Sequence, residues 1–144
     1  MTTLRDRITV LGKLTEAAGA KAAVQRLGEL VDELPRLDDA AARAKAHLDV
    51  QQEALKMVAE NLAGGVEGKN EAERKAALST KLQVDKGYLA QLNLVNTARG
   101  ALLDASLNAD RSKRQWMAIQ TKLAVYRATL MFLGGGESDR HGAE

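Results

Sequence analysis

The sequence contains no cysteine, a single proline and few aromatic side chains, with one Trp, one Phe and two Tyr in 144 residues. Without cysteine the chain has no disulfide, no thiolate nucleophile and no cysteine ligands for zinc, so a reducing cytoplasm is the expected compartment. Because aromatic residues are scarce, buried surface must come from Leu, Val, Ile and Ala, which suits helices packed along their length. A β-sandwich or β-barrel is therefore not expected.

Long apolar runs and a strong charge imbalance are also missing. No stretch approaches the roughly 20 apolar residues that cross a bilayer, and no signal-peptide core is recognisable, so no membrane association is expected. The net charge of +2 is mild, which leaves nucleic-acid binding open without indicating it. A chain of 144 residues suits one domain, and its 45% hydrophobic residues are enough for one continuous buried seam.

The first part of the chain has apolar side chains at three- and four-residue spacings, which is typical of one face of a helix. They are Leu4, Ile8, Leu11, Leu14, Ala18, Val24, Leu27, Val31 and Leu34. Gly12, Gly19 and Gly28 interrupt this segment, and they are interpreted either as bends or as points of close helix contact. Pro35 predicts a kink or break, so residues 1–34 are expected to form a separate N-terminal helix.

A second helix is predicted to begin near Pro35, because two rows of residues follow at heptad spacing. The rows are Leu34, Ala41, Leu48, Leu55 and Leu62, and Leu37, Ala44, Gln51 and Val58. Gln51 is the one polar member, and a polar seam residue favours a single register. Gly64 and Gly65 predict a glycine C-cap, and the GGVEGKN segment predicts the turn of a hairpin near residues 64–70.

The residues after this turn predict a short helix over Glu71–Val84. Asn70 is the expected N-cap, because its side chain can accept a hydrogen bond from the backbone N–H of Glu73. The acidic residues of the first turn suit the positive end of the helix dipole. Segment 85–87 predicts a kink before the next helix.

The long C-terminal helix, roughly Lys86 to Leu133, has the most regular heptad pattern. Its candidate self-association seam is Val95, Leu102, Ala109, Trp116, Leu123 and Leu130, with Ala98, Ala105, Ser112, Ile119, Tyr126 and Leu133 as the companion row. At about 1.5 Å per residue, Tyr88–Leu133 would extend about 70 Å, against about 45 Å for Pro35–Ala63. The apolar stripe left over predicts a second subunit, with a dimer favoured. Glycines after Leu133 predict a helix stop and a disordered tail over 134–144.

The side chains that catalysis requires are scarce, since the chain has only two histidines and no cysteine. His47 has no second histidine or cysteine at metal-ligand spacing, and His141 lies in the predicted tail. The GGVEGKN loop lacks the Lys-Ser/Thr ending of a phosphate-binding loop. The chain is therefore predicted not to be an enzyme and to use no metal, cofactor or small-molecule substrate.

Two basic stretches are candidate contacts for a protein partner or a nucleic acid. They are Lys69, Arg74 and Lys75 near the turn, and Arg111, Lys113 and Arg114 on the long helix. Basic clusters beside an aromatic side chain can follow a phosphate backbone and stack a base. Trp116, however, lies in the heptad seam, which favours packing, and exposed charges also serve to keep a coiled coil in solution.

The stretch EGKNEAERKAAL, residues Glu67–Leu78, lies between two amphipathic helices and is followed by a long helix. In this it resembles small helical proteins of phages and prophages, of unassigned function, that are encoded among replication and recombination genes. The resemblance covers residues 37–133. It implies an accessory role in phage DNA metabolism or host takeover, and it supplies no catalytic residue.

The sequence thus predicts an all-α protein, with an antiparallel helical hairpin or coiled coil over 35–133, a long C-terminal helix and an extra N-terminal helix. The leading hypothesis for its function is a cytoplasmic, non-enzymatic protein-binding or accessory protein that acts through a coiled-coil surface and self-association. The alternative is a DNA-binding accessory factor of phage replication or recombination that uses the basic helix faces.

Overall fold

The computed structural model describes the backbone of residues 4–141 and the side chains of residues 13, 17 and 19–131. In this part of the chain the secondary structure consists of three helices, α1 (Leu4–Ala63), α2 (Glu71–Val84) and α3 (Lys86–His141), with no strand. The all-α prediction is confirmed, and the helix packing is consistent with a hairpin. Within the described residues, no helix is long and apolar enough to cross a membrane.

The chain groups into two compact units. The terminal unit consists of Met1–Pro35 and Asp110–Glu144, and the central unit consists of Arg36–Ala109. The terminal unit therefore combines a segment of α1 with a segment of α3, whereas the central unit contains segments of both long helices together with α2.

Helix α1 continues through Pro35, so the predicted break and the separate N-terminal helix are wrong. An interior proline removes one helical hydrogen bond and costs about 3 kcal/mol. Pro35 has no N–H to donate to the carbonyl of Val31, four residues earlier in the helix. Both residues are exposed, so water can reach this carbonyl. Leu30 and Leu37 are at least half-buried on the opposite side, and their packing before and after the proline offsets its cost.

The buried face of α1 before Pro35 differs from the predicted one. Val24 and Val31 were expected to face inward, yet Val31 is 52% exposed and Val24 is exposed as well. Ala23 is buried instead, and Leu30 has no exposed surface at all. The heptad row of Leu37 continues backward through Leu30 to Ala23, whereas Val24 and Val31, which are also seven residues apart, lie one position away from this row. The predicted positions Leu4, Ile8, Leu11, Leu14 and Ala18 lie outside the described side chains.

The two heptad rows predicted for residues 34–62 lie at buried or half-buried positions of α1. Leu48 is buried, and the other members are half-buried: Leu34, Leu37, Ala41, Ala44, Gln51, Leu55, Val58 and Leu62. Leu48 belongs to the core of the central unit together with Val95 and Ala98, and Leu55 and Leu102 pack against this cluster. A narrow core of aliphatic and small side chains is what the shortage of aromatic residues requires.

Helix α1 ends at Ala63 without the predicted glycine cap. No described glycine has a positive φ, and a left-handed glycine is what defines that cap. The last turn tightens instead, since the N–H of Gly65 donates to Leu62 O at 3.3 Å and the N–H of Val66 donates to Ala63 O at 3.2 Å. These hydrogen bonds span three residues instead of the four of an α-helix. They satisfy carbonyls that the helix end would otherwise leave without a partner.

Helix α2 begins as predicted. The Asn70 side chain accepts a hydrogen bond of 2.9 Å from the N–H of Glu73, and the Glu73 carboxylate accepts one from the N–H of Lys69. Asp85 separates α2 from α3: its N–H donates to Lys81 O, and its carboxylate accepts from the N–H of Tyr88 at 2.7 Å. The boundaries at Asn70 and Asp85 are therefore determined by local side-chain capping.

Helix α3 ends at His141 rather than at Leu133. The expected glycine stop does not form, because glycine ends a helix only when it leaves the helical conformation, and no described glycine has a positive φ. Residues 134–141, assigned by prediction to a disordered tail, are therefore helical in their backbone.

Candidate partner-binding surfaces

The candidate self-association seam of α3 is largely occupied by contacts within the chain. Val95 and Ala109 are buried, and Leu102, Trp116 and Leu123 are half-buried. Leu130 is 63% exposed and is the only one of these six residues that is open to solvent. A second chain could not reach most of this seam unless the helices separated.

The length difference that predicted a second subunit is absent. Helix α1 has 60 residues and α3 has 56, which correspond to about 90 Å and about 84 Å at 1.5 Å per residue. The expected difference depended on a break at Pro35. Because α1 continues, the segment of α3 in each unit has a segment of α1 beside it.

A polar pair lies in the seam of the central unit. The side-chain amide of Gln91 donates to the Gln51 side-chain oxygen at 2.8 Å and to the Gln51 carbonyl at 3.1 Å. Both glutamines are half-buried, so a shift of one turn would leave their polar groups without partners. Gln51 was predicted as the polar seam residue; its partner Gln91 was not predicted.

A charged network connects the two helical segments of the terminal unit. The Arg26 guanidinium is 2.9 Å from the Glu29 carboxylate and 3.1 Å from the Glu33 carboxylate. It also donates to the side-chain oxygen of Gln115 at 3.0 Å. The hydrogen bonds with Glu29 and then Glu33 raise the pKa of Arg26. An arginine is charged at any physiological pH, and the hydrogen bond from Arg26 to Gln115 connects the α1 segment to the α3 segment.

Gly19 gives the terminal unit a close contact. A side-chain carbon at Gly19 would lie 3.1 Å from the Tyr126 hydroxyl, whereas at Gly28 it would meet nothing within 4 Å. Of the two interpretations proposed for these glycines, close contact applies at Gly19, and neither contact nor a helix break applies at Gly28. The Lys122 ammonium lies 5.8 Å from the centre of the Tyr126 ring, within range of a cation–π interaction.

The basic cluster near the turn is exposed, but part of it stabilises the turn itself. Lys75 forms a 2.9 Å ion pair with Glu71, and the Arg74 side chain donates to Gly68 O at 3.3 Å. Lys69 contributes its backbone N–H to the cap of α2, and its side chain is exposed. Lys81, which is half-buried, donates to Leu62 O at 3.4 Å and connects α2 to the end of α1.

The basic cluster on α3 is more open. Arg111, Lys113 and Arg114 are all exposed, and among the described residues Arg111 and Arg114 have no ion-pair partner. The neighbouring Trp116 is half-buried at its seam position. The cluster near the turn belongs to the central unit and this cluster to the terminal unit.

Exposed apolar side chains outside the heptad seam were missed by the sequence-based reasoning. They include Val50 and Met57 on α1, Val84 on α2, Leu89, Leu94, Leu103 and Leu107 on α3 in the central unit, and Met117, Val125 and Met131 on α3 in the terminal unit. They could have been recognised from the sequence, because they are apolar residues outside the heptad rows that already account for the buried side of each long helix. Such residues on an outer helix face are candidates for contact with another molecule.

An open groove lies beside the junction of α2 and α3. It has a volume of about 260 Å³ and is lined by Ser79, Leu82, Gln83, Tyr88, Leu89 and Leu92. No group of three or more His, Cys, Asp or Glu residues able to hold a metal ion occurs in the described part of the chain. His47 is exposed, and the side chain of His141 is not among those described. The lining of the groove thus combines three leucines with the polar side chains of Ser79, Gln83 and Tyr88.

Comparison with known protein families, with curated proteins and with solved structures finds no significant match in any of the three.

Proposed function

We propose that the protein is a non-enzymatic binding or accessory protein whose two long helices form an antiparallel coiled coil with a partner-binding outer surface. The resemblance of its EGKNEAER segment to small phage proteins leads us to propose a phage setting. The protein acts by presenting helix faces to another protein, and it performs no reaction of its own.

The contacts within each unit support the antiparallel arrangement. In the central unit Gln51 contacts Gln91, while Leu48, which is earlier in the chain, clusters with the later residues Val95 and Ala98. In the terminal unit, Arg26 contacts Gln115, and the earlier Gly19 lies beside the later Tyr126. Within each unit, the contact partner on α3 moves toward the C-terminus as the residue on α1 moves toward the N-terminus. This is the order expected of antiparallel helices. The heptad spacing of the least exposed residues supports a coiled coil.

The observation that carries the binding function is the set of exposed apolar side chains on outer helix faces. A helix that only supports a hairpin needs one apolar stripe and is otherwise polar. Leu103 and Leu107, one turn apart on α3, are both exposed although they lie outside the seam. Leucine and methionine side chains left in water cost free energy that contact with a partner recovers.

Self-association, with a dimer favoured, is a further part of this proposal. Leu103 and Leu107 support it, because two copies could bring the same small apolar patch together around a two-fold axis. Light scattering at several concentrations tests this. We expect the mass to exceed that of one chain and to fall when Leu103 and Leu107 are both changed to Glu. A monomer at every concentration would contradict self-association.

Partner binding is tested by photo-cross-linking in the cells that carry the gene. A benzophenone amino acid is placed at Leu103, at Met117 or at Val50, and at the exposed polar residue Thr97 as the control. We expect discrete protein adducts from at least one apolar position and none from Thr97. If all three apolar positions give no protein adduct, the proposed function is wrong.

DNA binding is the second candidate function, and the exposed guanidinium groups of Arg111 and Arg114 favour it. Fluorescence anisotropy with single- and double-stranded DNA tests it over a series of salt concentrations. If the α3 cluster binds phosphates, affinity falls steeply as salt rises, and neutralising Arg111, Lys113 and Arg114 reduces that salt dependence. Affinity that is unaffected by the three substitutions would contradict this function.

A further inference from the structure

The segment of α3 from Trp116 to Met131 is apolar on two opposite sides. Trp116, Ile119, Leu123 and Tyr126 are half-buried on the inner side. Six exposed residues form what we call the outer face of α3: Met117, Ala118, Ala124, Val125, Ala128 and Met131. Met117 is 65% exposed, Val125 58% and Met131 67%. Large apolar side chains that are exposed on a second side of a helix are candidates for contact with another molecule, so a stable assembly is expected to cover the outer face as well.

The polar residues within this segment do not make the outer face hydrophilic. The Thr121 hydroxyl donates to Met117 O at 3.0 Å, and the Thr129 hydroxyl donates to Val125 O at 2.9 Å. Both hydroxyl groups are thereby satisfied within the helix, and their methyl groups add apolar surface. The face extends from Met117 to Met131, which corresponds to a length of about 22 Å and suits a helical partner of about four turns.

The charges that α3 itself carries beside the outer face have one sign. Every charged residue from Arg111 to Met131 is basic: Arg111, Lys113, Arg114, Lys122 and Arg127. Pairing the outer face of α3 with its own copy would bring these basic residues together, and such repulsion opposes a symmetric α3–α3 contact. Acidic residues on a partner would complement the charges at both edges of the face.

We propose that the outer face of α3 binds an amphipathic helix of another protein, one with an apolar stripe and acidic residues on both sides of it. This inference rests on the proposed function and names the class of partner. The central unit already has a third helix, α2, beside its two long segments, whereas the described part of the terminal unit has only α1 and α3. The acidic helix would be the third helix of the terminal unit.

Membranes and nucleic acids fit this face less well. Helices that bind membrane surfaces use bulky residues such as Trp, Phe and Leu on the apolar side, and this face has Ala, Val and Met. Single-stranded nucleic acids stack their bases on exposed aromatic side chains, and the outer face has none. Its apolar residues would have no role in a contact with phosphates.

The test uses the full chain and three synthetic helical peptides of about 21 residues, long enough to match the face. The first has a Leu/Ala stripe flanked by Glu, the second has Lys in place of Glu, and the third is a scrambled version of the first. The double variant Met117→Glu with Val125→Glu alters the face. Its matched control, Val24→Glu with Val31→Glu, introduces the same two charges at exposed apolar positions of α1 in the same unit. Circular dichroism establishes that both variants keep their helix content.

We expect the Glu-flanked peptide to bind the natural chain and the control variant alike in fluorescence anisotropy. Binding to the Met117→Glu, Val125→Glu variant should be weaker by about tenfold or more, because a packed apolar contact at the interface centre is lost. The Lys-flanked and scrambled peptides should not bind, and changing both Lys122 and Arg127 to Gln should weaken binding and reduce its salt dependence.

Equal binding of the Glu-flanked peptide to all variants, or no binding at all, would overturn the inference. It would also be overturned if the natural chain ignored the peptide but bound phosphatidylserine vesicles or duplex DNA, with loss of binding in the Met117→Glu, Val125→Glu variant. If cross-linking yields protein adducts at Leu103 while the peptide does not bind, this inference fails and the proposed function stands. If no position yields an adduct, the proposed function itself fails.

Discussion

The side-chain amide of Gln91 on α3 donates to both oxygens that Gln51 on α1 offers, the side-chain oxygen at 2.8 Å and the backbone carbonyl at 3.1 Å. This polar contact lies in the same unit as the apolar core cluster of Leu48, Val95 and Ala98. A hydrogen bond of this kind adds little net stability, but losing one partner leaves the other unsatisfied. The pair therefore opposes alternative registers more than it stabilises the correct one.

Replacing Gln91 by Met removes the donor and keeps the shape of the side chain. We expect the variant to lose about 0.5–1.5 kcal/mol of unfolding free energy, because the half-buried oxygen of Gln51 loses its partner. Changing both Gln51 and Gln91 to Met should restore or exceed the natural stability, since no unsatisfied polar side chain remains in the seam. Urea unfolding measures both values. A Gln91→Met variant as stable as the natural chain would contradict this view of the pair.

Leu30 and Val31 are neighbours on α1 with opposite environments, since Leu30 is 0% exposed and Val31 is 52% exposed. We expect Leu30→Ala to destabilise the protein by about 2–4 kcal/mol through lost burial and a residual cavity. Val31→Ala is the matched control and should stay within about 0.5 kcal/mol of the natural chain. Thermal unfolding followed by circular dichroism distinguishes them. A larger effect at Val31 would restore the face first predicted from the sequence.

Gly28 and Gly19 differ in the space that a methyl group would enter. At Gly28 a side-chain carbon meets nothing within 4 Å, whereas at Gly19 it would lie 3.1 Å from the Tyr126 hydroxyl. Gly28→Ala is expected to stabilise α1 by about 0.5–1 kcal/mol, because alanine loses less conformational entropy in a helix. Gly19→Ala should gain less or lose stability, since Tyr126 must move. Equal gains at both positions in melting temperature would show that the close contact at Gly19 has no effect.

The cap at Asn70 should hold the start of α2. We expect Asn70→Ala to cost about 1 kcal/mol, because the N–H of Glu73 loses its acceptor. Hydrogen exchange at the amide of Glu73 should become faster, and this local measurement detects fraying even if the long helices remain folded. Asn96→Ala, at an exposed position within α3, is the control and should leave that exchange rate unchanged. Unaltered exchange in both variants would mean that the cap is dispensable.

Local features of this protein follow directly from its sequence. The all-α class, the start of α2 after Asn70, the junction near Asp85 and the two heptad rows after Leu34 depend on residues only a few positions apart. Side-chain caps and a repeated apolar spacing act within one or two turns, so their effect can be recognised without knowing what lies opposite. The same spacing indicated Trp116 as a seam residue, and it is half-buried at that position.

Only the tertiary structure decided how the helices continue and which faces are used. Pro35 and the glycines after Leu133 have intrinsic costs of up to a few kcal/mol, and packing of residues such as Leu30 and Leu37 on both sides of Pro35 outweighs the cost there. The choice of Leu30 over Val31, the pairing of Gln91 with Gln51 and the exposure of Met117 and Val125 all depend on the opposite helix. The helical class, the heptad rows and the capped boundaries at Asn70 and Asp85 thus followed from local sequence, whereas the helix lengths and the outer surfaces available to a partner depend on contacts between segments distant in the chain.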